Sequence, residues 1–219
     1  MGGDIYIPPK PKPKPKPKPE YKYALWYFKP YDGNYEAFSS AGSPEELKNI
    51  GFTHAIALHS PAKDKNRNLK YGNIPFSGDK YENGHKDGKS FGRWIDSMLN
   101  GIDYLVVIPV LIEEGKLKEG VRGIEYWKGW IDGVCNNTGN YLKGFYWYLE
   151  YPWQIHDNIV SEDDIREISD YIKKKRLQFI WIPYVHDGID PNKTDIKSIA
   201  NYFTHVFLQS NYYQGKHRS

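Results

Sequence analysis

The chain is poor in the features that fix many protein classes. Its 219 residues include one cysteine, Cys135, so no intrachain disulfide can form. Cys135 falls in a stretch of helical spacing and reads as a small core residue rather than a nucleophile. No run of about 18 apolar residues occurs, so no transmembrane helix is expected. The longest apolar run, 104–112, has the length of a strand. The opening Met1-Gly2-Gly3-Asp4 lacks the apolar stretch of a secretory signal. An extracellular or cell-surface location is therefore expected only if a signal or an upstream domain has been removed.

An excess of one charge is also missing from most of the chain. There are 30 Lys and Arg against 27 Asp and Glu, a net of +3. Residues 1–20 hold five lysines against Asp4 and Glu20, which accounts for the whole excess and leaves 25 of each sign in the rest. A neutral body argues against a nucleic-acid groove, which carries a basic surplus on one face. No Gly-rich phosphate turn follows the first strand, and no P-loop, serine elbow, zinc-ribbon cysteines or dinucleotide fingerprint is present. His59, His186 and Asp187 are ligand types, but no His-x-x-x-His spacing supports a metal site. Neither a cofactor nor a metal is expected.

Aromatic residues are abundant: 7 Trp, 19 Tyr and 9 Phe. Trp and Tyr present a flat apolar face with a polar edge, which suits the C–H faces and hydroxyl rims of sugars. Most must still fill the core. Residues 8–19 alternate proline with lysine. Proline fixes φ and lacks the N–H, and like charges repel, so 1–20 is expected to be an extended linker or tail. Such a spacer leaves room for an upstream domain or a cell-surface anchor.

From residue 21 a strand–helix rhythm is legible. Strands are predicted at 23–28, 51–58, 103–112, 142–149, 177–183 and 204–209. Helices are predicted from Ser43-Pro44-Glu45-Glu46, at 91–99, at 124–135, over 161–175 and at 195–203. Residues 59–90, rich in Lys, Asn, Asp and Gly, read as a long loop. Strands this apolar, each followed by a helix, indicate a parallel sheet covered by helices. The fold class expected for 21–219 is α/β, a parallel (β/α) TIM-type barrel with about six strand–helix units. A complete barrel has eight, so the expectation is an incomplete one.

In a barrel, functional residues stand where strands end at the carboxyl face. Those positions hold Tyr27, His59, Glu113, Glu150, Trp153, Tyr184, Asp187, Gln209, Asn211 and Tyr212. Glu150 is the sharpest candidate. Period-two alternation puts it on one face with Gly144, Tyr146 and Tyr148. A carboxyl among aromatics is poorly solvated, which raises its pKa and suits a general acid. Glycoside hydrolysis needs a second carboxylate. Glu113 is the first choice and Asp187 the next; the plain alternative for both is a solvated loop end. Trp153 is the stacking candidate, and Gln209 and Asn211 offer amides for hydroxyl recognition.

The segments GFYWYLE (144–150), WIPYV (181–185) and FLQSNYYQ (207–214) stand in one order. This pattern resembles the glycosidase-like barrel family catalogued as domain of unknown function 4855. The likeness covers about 140–214 well and the first half loosely. It implies a TIM-type barrel related to glycoside hydrolases, with Glu150, Tyr184, Gln209, Asn211 and Tyr212 at the site. In many glycosidase barrels the acid stands at strand four and the nucleophile at strand seven, and no seventh strand is read here. Two functions follow as expectations. One is a glycoside hydrolase acting on a cell-wall or extracellular polysaccharide. The other is a non-catalytic carbohydrate-binding or surface-attached protein on a degenerate or truncated barrel. Carbohydrate is the ligand in both.

Overall fold

The computed structural model describes residues 20–31, 34–37, 42–59, 62–63, 69–70, 76–114, 117–185 and 189–209. The Lys-Pro segment, Asp187, Asn211 and Tyr212 lie outside the described residues. In chain order the elements are β1 (Tyr23–Tyr31), β2 (Asn34–Ala37), α1 (Pro44–Asn49), β3 (His54–His59), β4 (Ala62–Lys63), β5 (Leu69–Lys70) and α2 (Tyr81–Leu99). Then come β6 (Asp103–Ile108), β7 (Ile112–Glu114), β8 (Leu117–Glu119), α3 (Ile124–Cys135), β9 (Leu142–Trp147), α4 (Glu162–Lys174), β10 (Gln178–Trp181), α5 (Ile196–Ile199) and β11 (His205–Val206).

One mixed sheet of seven strands organises the molecule, in the order β11-β10-β9-β6-β3-β1-β2. Six strands are parallel neighbours in strict chain order, from β1 through β3, β6, β9 and β10 to β11. The seventh, β2, folds back antiparallel on the second half of β1. The order of the six parallel strands never reverses, unlike that of a doubly wound sheet. Among the described residues the sheet is not closed, since β11 and β2 each have one partner.

The sheet is nonetheless strongly curled. In a flat sheet with strands ~4.8 Å apart, β1 and β10 would stand about 19 Å from each other. Instead the Tyr23 hydroxyl of β1 donates to Gln178 Oε1 of β10 at 3.0 Å. The Tyr23 ring also lies 5.3 Å from that of Phe207, just past β11. Side chains of distant strands thus meet across a concave face.

The convex face carries the helices. Trp26 and Phe28 point outward from β1 and are fully buried, Trp26 against Trp94 of α2 and Phe28 against Phe91 and Trp94. Trp147 of β9 meets Trp127 of α3 at 5.4 Å, and Trp130 Nε1 donates to Val107 O of β6 at 2.9 Å. Helix α4 buries Ile165, Ile168 and Ile172. Its Ser161 cap exchanges bonds with Asp164, and acids open the helix while lysines close it, in line with its dipole.

The sequence and the structure part company in three places. Helix α2 begins at Tyr81, inside the stretch read as loop. Its Gly84, Gly88 and Gly92 resemble loop glycines but face α3, and a Cβ at Gly84 would lie 2.0 Å from Tyr126 O. The strand predicted over 103–112 ends at Ile108 because Pro109 cannot donate to a ladder. The chain after it turns into the β7–β8 hairpin. Strand β2, whose Asn34-Tyr35-Glu36-Ala37 is too polar and short to stand out, was not anticipated.

Candidate functional site

The concave face opens as a groove of about 700 Å³ that runs along β1 from its amino end and reaches the carboxyl ends of β3, β9 and β10. Its wall carries Tyr21, Tyr23, Tyr27, Tyr148 and Tyr151, its aliphatic lining includes Leu25, Ile56, Leu58 and Ile182, and Phe207 and Gln209 stand at one side. Period-two alternation places these residues. Trp26 and Phe28 turn to the helices, so Tyr23, Leu25 and Tyr27 turn to the groove.

Glu150 is the only carboxylate among the described residues lining the groove. It lies three residues beyond the end of β9, the fourth of the parallel strands. Its main chain is held firmly. Its carbonyl accepts from Tyr184 N at 2.8 Å, and the preceding Leu149 carbonyl accepts from Trp181 Nε1 at 2.9 Å. The turn that follows is pinned by wholly buried Gln154, which accepts from Trp147 Nε1 at 2.7 Å and donates to Tyr151 O at 3.2 Å. The Tyr146 hydroxyl donates to Glu150 Oε1. Burial raises the Glu150 pKa above the usual carboxylate value, and the bond from Tyr146 opposes that rise in part. Burial likewise raises the Tyr27 pKa, helped by the Glu150 charge nearby.

His59 ends β3, with its ring 5.6 Å from Phe28 and 6.1 Å from Tyr148. Burial lowers its pKa to about 4, so at neutral pH it is an uncharged imidazole. Tyr184 and Gln209 form a parallel bridge that extends the β10–β11 pairing. Among the described residues, the buried Oε1 of Gln209 has no hydrogen-bond donor.

The structure therefore gathers Tyr27, His59, Glu150 and Gln209 around one groove, with Tyr184 bonded to the Glu150 backbone. Trp153 is not among the lining residues: its Nε1 donates to Lys193 O at 3.0 Å and its ring packs on Tyr151. Glu113 belongs to the β7–β8 hairpin, paired in register with Lys118. Tyr146 and Tyr148 were read only as neighbours of Glu150 on its face. Alternation gave their direction, but a fully buried tyrosine such as Tyr146 reads as core. Leu25, 45% exposed, and Phe207, 37% exposed, carry no sequence signal for a groove.

Among the described residues no group of three or more His, Cys, Asp or Glu is placed to hold a metal ion. Nor is any helix among them long and apolar enough to cross a membrane.

Fold and site together define a mixed α/β protein with a largely parallel, curled sheet, open among the described residues, and a tyrosine-rich groove along its concave face. Residues 138–219, which contain all three motifs singled out in the sequence, match the family described as domain of unknown function (DUF4855). The chain is also 45% identical over 238 aligned positions to an uncharacterized protein of Methanocaldococcus jannaschii, an alignment covering 97% of this chain and 65% of that protein. It thus spans slightly less than two thirds of that relative's length. No solved structure matches the chain at a significant level.

Proposed function

We propose that the curled sheet is the larger part of a (β/α)8 barrel, and that its groove is the active site of a glycoside hydrolase acting on a cell-wall or extracellular polysaccharide. Six parallel strands in unbroken chain order support the barrel, as does the contact of β1 side chains with those of β10 and β11. The observation that carries the function is Glu150: a half-buried carboxyl of raised pKa, at the end of the fourth parallel strand, in a groove walled by tyrosines. A carboxyl whose pKa burial raises keeps its proton to higher pH than an exposed one and can protonate a glycosidic oxygen as the bond breaks. Tyrosine faces stack on sugar rings while their hydroxyls bond sugar hydroxyls.

A non-catalytic carbohydrate-binding protein is the second reading, favoured by one specific observation. Both retaining and inverting hydrolysis use a pair of carboxyl groups, and the described lining residues supply Glu150 alone. A glycan array probed with the wild type, Glu150→Gln and Tyr148→Ala tests what the two readings share. Retained binding by Glu150→Gln with weakened binding by Tyr148→Ala is the expected pattern. Absence of binding by the folded wild type to every carbohydrate class would remove both readings.

A further inference from the structure

We infer that Tyr146 is a positioning residue that gives the two oxygens of Glu150 separate tasks: Oε1 is held by the Tyr146 hydroxyl, and the exchangeable proton is carried on Oε2 toward the groove. This rests on the reading of Glu150 as the acid of the groove. The two residues sit four apart, where alternation brings both side chains to the concave side. Tyr146 is wholly buried in the centre of the sheet, in register with Val107 on one side and Ile180 on the other. Its hydroxyl has one proton to give, and Glu150 Oε1 receives it.

The phenol remains a donor at every working pH, because burial and the adjacent carboxyl hold its pKa well above the usual value. In a neutral carboxyl the carbonyl oxygen is the better acceptor, so the oxygen that takes the Tyr146 hydrogen is the one without the proton. The proton therefore resides on Oε2, which among the described residues accepts no hydrogen bond. The backbone bonds at Leu149 and Glu150 fix the other end of the side chain. When Glu150 acts as an acid, the Oε2–H bond breaks and the proton passes to the acceptor oxygen. The carboxylate left behind keeps its bond from Tyr146, now charge-assisted and stronger. Tyr146 thus favours the ionised product of the step, against the burial that disfavours it.

The test needs no substrate. Protein labelled with carboxyl-13C glutamate is titrated by NMR, and Glu150→Gln identifies the Glu150 signal by its loss. Tyr146→Phe is expected to raise the Glu150 midpoint by about one pH unit, since a bond to the charged form is removed. An unchanged or lowered midpoint in folded Tyr146→Phe overturns the inference. Should that variant not fold, ring-13C tyrosine in the wild type serves instead. The Tyr146 signal is expected to shift with the midpoint of Glu150 and to lose that shift in Glu150→Gln. No such response also overturns it. Failure of the glycan reading is seen separately, on the array, and leaves this titration unaffected.

Discussion

Replacing Gly129 with alanine tests how closely the helical layer is packed. A Cβ at this position of α3 would lie 2.1 Å from Tyr81 O and 2.8 Å from His85 N. Gly84, Gly88 and Gly133 show the same kind of approach, each within 2.0–2.3 Å of a backbone oxygen. The atoms that a Cβ at Gly129 would meet belong to the backbone of the 19-residue helix α2, so no side chain can rotate away and the helices must separate by more than about 1 Å to restore ordinary contact. Two effects compete. Alanine is the better helix former by about 1 kcal/mol, while overpacking costs about 1–3 kcal/mol and more where backbone is met. Packing wins, and a net loss of about 2 kcal/mol is expected. For a chain of this size each 1 kcal/mol moves the Tm by about 2–4 °C, so Gly129→Ala is expected to melt about 4–8 °C below the wild type. Gly139→Ala is the control, because its Cβ would meet only Asp96 carboxylate oxygens at 3.6 Å and beyond; its change should stay within about 0.5 kcal/mol. Far-UV circular dichroism melts of the three proteins decide the matter. If Gly129→Ala melted at or above the wild type, the close approach of α2 and α3 would be refuted.

Other perturbations reach the groove. His59 has its pKa lowered by burial to about 4, so the stability it contributes as a neutral group is complete above pH ~6.5 and is lost as pH falls from there through about 4, a loss of about 3 kcal/mol. His59→Leu is expected to flatten the dependence of urea stability on pH over that window, and an equally steep dependence would contradict the burial argument. Glu150 has a raised pKa, so its burial costs stability as pH rises through that value. Glu150→Gln is expected to melt higher than the wild type at pH 7–8 and alike below the usual carboxylate pKa; a lower Tm at neutral pH would count against a poorly solvated carboxyl. Gln154→Leu strands the buried Trp147 Nε1, for an expected loss of about 1–3 kcal/mol in urea unfolding. No measurable loss would show that the turn after Glu150 is held by other contacts.

Much of the fold was legible because buried parallel strands are nearly continuous apolar runs. Residues 54–59 and 103–108 announce themselves in this way, and Ser161 with its following acids announces α4. What stayed hidden follows from rules acting against tertiary context. Gly84, Gly88 and Gly92 lower helix propensity and so disguised half of α2, yet helix approach is what requires them. Pro109 cut a strand that apolarity alone prolonged. In the site, Glu150 was found because alternation and aromatic neighbours both point to it. The role of Tyr146 was not, since only a hydrogen bond across four residues of one face separates it from any core tyrosine. The curl that turns Leu25 and Phe207 toward one groove depends on strands 155 and more residues apart in the chain meeting at Tyr23.

The proposed role of Glu150 is to give up a proton to a glycosidic bond. Reducing-end release from a panel of neutral and acidic cell-wall and extracellular polysaccharides, measured with wild type and Glu150→Gln side by side, reads that step. Release by the wild type on at least one polysaccharide is expected, with its loss in Glu150→Gln and binding to that polysaccharide retained. Equal release by both proteins, or binding with no release by either, would contradict Glu150 as the proton donor.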